Sequence, residues 1–181
     1  MPAAPLFVSE DGSQQKRVLA LLRRMPRLEG GSILIQSACG LHDRFGAAHA
    51  GSCLRMRRIL LDCNSTEFPR IFVHEAAHFI WVRLGNPLRW NYEDLLRSEW
   101  DGRARGELGW SAEWRKAELR AMDVTRRSRR WREYCCESFC DTAAWLYSGV
   151  EGHPEFTLAG GFHRRRRRWF AQMLANRRLS I

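Results

Sequence analysis

Within FVHEAAHFIWVRLG, residues 72–85, two histidines and a glutamate stand among Phe72, Val73, Phe79, Ile80, Trp81 and Leu84. Buried polar groups are costly unless something satisfies them, so the triplet demands a metal ion or a hydrogen-bond network. His74 and His78 are four residues apart; on a helix that separates them by about 40° around the axis and about 6 Å along it. Two imidazoles so related can hold one zinc ion at about 2.0–2.1 Å each. Glu75 is rotated by about 100° from His74, which makes it a poor ligand and a good partner for water at the metal's remaining position. The pattern is His-Glu-x-x-His, and random order of six His and 13 Glu in 181 residues produces it roughly 0.01 times. Histidines satisfied within the core are the alternative, and that alternative must also accommodate the glutamate between them.

A zinc site of this kind needs a third protein ligand. CCESFCDTAAWLYSG, residues 135–149, places Glu137 and Asp141 on one face of an expected helix whose other residues are largely apolar. Glu137 can complete a His₂Glu site, and Asp141 can accept the free N–H of a ligating histidine, fixing its tautomer. An ion pair to one of the many arginines is the competing use of either carboxylate. Cys136 and Cys140, also four apart, could chelate a metal on a helix, but no CxxC pair is present and small buried thiols are the plainer reading.

HEAAH followed by ESFCD resembles the gluzincin pattern HExxH…ExxxD of thermolysin-like peptidases. The order ILLDCNS, HEAAH helix, ESFCDTAAWL is also similar to the small ImmA/IrrE-type metallopeptidases. The resemblance covers residues 54–85 and 131–149 and implies that His74, His78 and Glu137 ligate zinc. It makes Glu75 the catalytic glutamate and Asp141 the aspartate that orients the first histidine. The 58 residues between His78 and Glu137 exceed the spacing usual in the small families, and 181 residues cannot hold the second domain of a thermolysin-like enzyme.

These residues need elements to position them. Residues 13–25 predict a short amphipathic helix with Val18, Leu19, Leu22 and Met25 on one side, stopped by Pro26. SILIQSA (32–38) and RRILLDC (57–63) read as strands, with a glycine-rich irregular stretch between them. The HEAAH helix is capped by Ser65 or Thr66, takes Pro69 in its first turn and ends at Gly85. Residues 86–110 look like a surface excursion, Ser111 caps a helix running to Met122, the ligand helix spans about Trp131–Ser148, and a basic helix covers 161–178. The expected architecture is α+β: residues 1–181 as a zincin-like single domain, with a small mixed sheet packed on the HExxH helix and the ligand-bearing helix.

The net charge of +10 rests on 28 Arg and two Lys, and the segment from Arg126 onward carries 12 Arg against five acids. Such a surface attracts anions over long range. Neither a secretory leader nor a membrane span is legible, so a cytoplasmic protein without a membrane partner is expected. The expected function is zinc-dependent (Zn²⁺) peptide hydrolysis on a peptide or protein substrate, by a metal-bound water that Glu75 activates. Tyr134, Tyr147, His153 and His163 are candidates to stabilise the oxyanion, Tyr134 first, and RRILLDC would pair with an extended substrate if it is a sheet edge. The rival is a basic nucleic-acid-binding module with a structural zinc, resting on Arg126–Arg132 and Arg164–Arg168; a protease acting on DNA-bound proteins would use both features.

Overall fold

The computed structural model describes residues 6–43, 46–47, 50–62, 67–174 and 176–181. The chain runs β1 (Phe7–Ser9), α1 (Gly12–Leu22), β2 (Leu28–Glu29), β3 (Ile33–Ala38), β4 (His42–Asp43), β5 (Gly46–Ala47), β6 (Ala50–Cys53) and β7 (Arg58–Asp62). It continues through α2 (Phe68–Arg83), α3 (Asn86–Asp101), α4 (Trp110–Ala117), α5 (Ala121–Thr125), α6 (Arg129–Tyr147), α7 (Gly160–Met173) and β8 (Leu179–Ser180). It is an α+β fold with seven helices and a mixed four-stranded sheet among the described residues.

The sheet order is β1-β3-β7-β6, parallel except for β6, which lies antiparallel along one edge. Period-two alternation buries Ile33 and Ile35 of β3 and Ile59 and Leu61 of β7, which face the helices. RRILLDC is therefore an interior strand, so the condition for its pairing with a substrate is not met. The edge is AGSC, whose small residues carry no strand propensity, which is why the sequence presents this region as irregular.

α1 starts at Asp11, whose carboxylate accepts from Ser13 N–H at 2.8 Å. Val18, Leu21 and Met25 are buried, whereas the expected Leu19 is exposed. α2 has Pro69 in its first turn and Glu67 as its N-cap residue; the expected caps Ser65 and Thr66 lie outside the described residues. α2 packs against β6 and β7 of the sheet and against α6, and its Phe72 sits edge-on to Phe7 of β1 at 5.3 Å.

Residues 86–110 are not a surface excursion. Asn86–Asp101 form α3, begun by Pro87 where its missing N–H does no harm. Its Tyr92 and Leu96 are fully buried, and Tyr92 sits edge-on to Phe139 of α6 (5.5 Å) and Trp169 of α7 (4.8 Å). The helix expected from Ser111 to Met122 is two pieces, α4 and α5. α7 ends at Met173 rather than 178, and β8 pairs with β2 beyond it.

The arginine run Arg164–Arg168 does not all face solvent. Arg166 is fully buried and pairs with Glu99 of α3 (2.8 Å) and with Glu107 (2.7 Å). Cys39 is disulfide-bonded, while Cys53, Cys135, Cys136 and Cys140 are free thiols. No described helix is long and apolar enough to cross a membrane.

Candidate metal centre

α2 and α6 pack side by side, and their polar residues meet. His74 Nε2 and His78 Nε2 lie 3.2 Å apart, and Glu137 Oε2 lies 3.3 Å from the first and 3.8 Å from the second. Ligands at about 2.0–2.1 Å around a tetrahedral ion are separated by about 3.4 Å. The three donor atoms expected from sequence therefore already have the spacing that one zinc ion requires, and the residues fit the group. Glu75 stands apart from them. Its carboxylate turns toward the sheet edge, where Ser52 Oγ of β6 lies 2.5 Å from Oε2 and 3.0 Å from the Glu75 carbonyl oxygen.

Each candidate ligand has a distinct outer partner. His74 Nδ1 lies 2.7 Å from Asp141 Oδ1, as the sequence reading expected. Asp141 Oδ2 in turn accepts the Ala112 N–H of α4 at 2.9 Å. Glu137 Oε1, the oxygen turned from the histidines, is 3.2 Å from Arg115 Nη2, also on α4. His78 Nδ1 lies 3.5 Å from Cys136 Sγ. One short helix thus supplies partners to two of the three ligand systems.

α4 reaches this position through Gly109 and Glu107. Gly109 packs so closely on Asp141 that any side chain there would overlap the carboxylate. The Glu107 carbonyl accepts from Thr157 and Leu158 N–H groups (2.8 and 2.9 Å), tying the segment to the stretch before α7. The Glu107 carboxylate accepts from Tyr134 at 2.6 Å and pairs with Lys116 at 3.0 Å and with Arg166.

The electrostatics follow from this crowding. Burial opposes charge on His74, but Asp141 and Glu137 outweigh it and hold the pKa well above the usual imidazole value. Burial likewise opposes His78, yet Cys136 and Glu137 push it up to about 9. For Glu137, burial works toward protonation and is overcome by His74, His78 and Arg115, which hold it down at about 2. A hydrogen bond from Cys140 lowers the Cys136 thiol to about 6, against burial, while burial pushes Cys140 well up. Cys140 also lies close: ligand atoms of His74, His78 and Cys140 are all within 4.8 Å of one another.

Of the candidate oxyanion donors, Tyr134 and His153 are engaged elsewhere. Tyr134 is buried and donates to Glu107, because its face of α6 turns toward the Arg166 network. His153 Nε2 pairs with Glu67 at 3.0 Å, the His163 ring packs on Trp145 at 5.0 Å, and the Tyr147 ring lies 6.2 Å from Phe170. Sequence reasoning missed Ser52, Gly109 and Arg115. Only GELGWSAEWR carried a signal, a glycine next to a charged amphipathic turn, and it did not name a partner. No protein-family model matches the chain, and neither curated proteins nor solved structures yield a significant match.

Proposed function

We propose that this chain is a zinc-dependent metallopeptidase with a zincin-like core, and the observation that carries the reading is the donor triangle of His74, His78 and Glu137. Three residues from two helices, two of them histidines with raised pKa values, converge at the separations of a tetrahedral ion. When bound, zinc lowers the pKa of a water to about 7 and polarises a carbonyl. Glu75, one residue from a ligand yet turned to the sheet edge, takes the proton from the attacking water and returns it to the leaving amine. Ser52 holds that carboxylate in place. The antiparallel strand β6, an edge of the sheet among the described residues, would offer its outer side to an extended peptide, whose backbone would pair with it as an added strand. Asp141 keeps the His74 lone pair on Nε2, and Arg115 keeps one oxygen of Glu137 turned away from the ion.

A second reading is a structural zinc closed by Cys140, favoured by that sulfur's nearness to the histidine donors. The exposed arginines Arg126, Arg129, Arg130 and Arg132, with those of α7, would then be the working surface, for nucleic acid. A zinc titration of three variants, with a peptide-hydrolysis assay at every point, separates these. Glu75→Gln should keep parental zinc binding and lose hydrolysis by about 10²–10⁴-fold. Glu137→Ala should lose metal and activity together. Full activity in Glu75→Gln sinks the hydrolytic reading, and loss of zinc in Cys140→Ala with no hydrolysis in the parent supports the structural one.

A further inference from the structure

We propose that Cys136 is the positioning residue of His78, its sulfur accepting the imidazole Nδ1–H as Asp141 accepts that of His74. The inference rests on the metal reading above and goes beyond it, since it concerns the one ligand for which no carboxylate or carbonyl partner is expected. A neutral imidazole has one N–H and one lone pair. To face the donor triangle with its lone pair at Nε2, His78 must carry its proton on Nδ1. That nitrogen points at Cys136 Sγ, 3.5 Å away, a normal length for an N–H···S contact.

The placement is built by the helix rather than by a chance approach. Cys136 precedes Glu137 by one residue, so the residue that positions one ligand is chained to the next ligand on α6. Cys140 lies one turn on along the same helix and is fully buried. Cys135, also buried, belongs to the core cluster. The two histidines are thus supported in parallel: His74 rests on Asp141, which is held by Ala112 N–H, and His78 rests on Cys136.

The test compares the parent, Cys136→Ala, Cys136→Asp and Cys140→Ala. Zinc affinity is read by competition with a chelator, the His78 tautomer by ¹⁵N NMR of the metal-free ring at alkaline pH, and sulfur ligation from the cobalt-substituted spectrum. Cys136→Ala should weaken zinc binding by about 10–100-fold and shift the His78 proton toward a mixture of tautomers. Cys136→Asp should recover most of both, because a carboxylate is an alternative acceptor, whereas a role in packing alone would not be rescued by it. Cys140→Ala should have a smaller effect, and parental cobalt protein should show no thiolate charge-transfer band. Parental zinc affinity with an unchanged His78 ring in Cys136→Ala overturns the proposal. So does a thiolate band abolished by Cys140→Ala or Cys136→Ala, which would make the sulfur a ligand. Should the parent bind no zinc, the metal reading fails on its own, and the NMR of the metal-free ring still decides whether Cys136 holds it.

Discussion

Replacing Gly109 by alanine measures how far the outer contacts set the grip on the metal. Gly109 is buried and its φ of 178° is ordinary extended backbone, so alanine introduces no backbone strain. It does introduce a methyl carbon within 2.5 Å of Asp141 Oδ2, and closer still to Cγ and Oδ1. Carbon contacts settle near 3.5–4.0 Å, so the carboxylate must retreat by about 1 Å. That retreat takes the 2.7 Å contact to His74 and the 2.9 Å contact from Ala112 N–H beyond hydrogen-bond length. No ligand is removed, yet zinc affinity should fall by about 10–100-fold, as when a histidine's outer partner is lost. Overpacking should cost the metal-free fold about 1–3 kcal/mol. Chelator competition reads the first and urea unfolding the second. In an Asp141→Ala background the new methyl meets no carboxylate, so the double variant should resemble Asp141→Ala alone, a coupling of the size seen for touching residues, about 0.5–3 kcal/mol. Parental affinity in Gly109→Ala, or losses that simply add in the double variant, refutes the reasoning.

Two further outcomes are expected. Arg166→Met strands Glu99 as a buried charge and leaves Glu107 to Lys116 and Tyr134, and unfolding titrations should show a loss of about 3–5 kcal/mol; a loss below about 1 kcal/mol would show that the network is compensated from elsewhere. Because His74 is raised and His78 lies at about 9 in the metal-free protein, protons occupy the donor nitrogens at pH 7 and must leave when zinc binds. Zinc affinity should therefore rise with pH toward about 9, by up to about tenfold per unit for each proton released. The sign for stability is opposite: a raised histidine pKa stabilises the metal-free fold most at acidic pH, below the unfolded imidazole value, and the contribution is lost as pH rises through about 9. Calorimetry in buffers of different ionisation heat counts the protons, and a count near zero contradicts the charges assigned to the pair.

What was legible in the sequence was what helical periodicity encodes. His74, His78, Glu137 and Asp141 could be placed because positions three and four apart on a helix share a face, and the two helices carry their polar groups in otherwise apolar settings. SILIQSA and RRILLDC were legible as strands on other grounds, the second as an apolar run bounded by turn formers. β6 was hidden because Gly51 and Ser52 have neither propensity nor alternation; its identity as an edge comes from pairing with β7. α3 was misread because Asn86, Pro87 and dense charge suggested a loop, although Pro87 was a start signal and Tyr92 and Leu96 an i,i+4 apolar pair. Arg115 and Gly109 have meaning only through Glu137 and Asp141, residues distant in the chain, and no local pattern announces such contacts. Tyr134 had the right spacing to serve the site, but its hydroxyl belongs to Glu107.

Anchorage of α4 has a thermodynamic corollary. The helix touches Asp141 through Ala112, Glu137 through Arg115 and Thr157 through Glu113. Seating this helix and filling the donor triangle are therefore two equilibria with a shared term. By reciprocity, whatever favours the seated helix by some factor tightens the metal by the same factor, and the metal returns it. Trp110, at the start of α4, leaves 66% of its surface in solvent. If the triangle holds zinc as proposed, a molecule that settles on that indole and prefers the helix seated would regulate the ion without approaching it, and amide exchange along α4 would gauge metal occupancy.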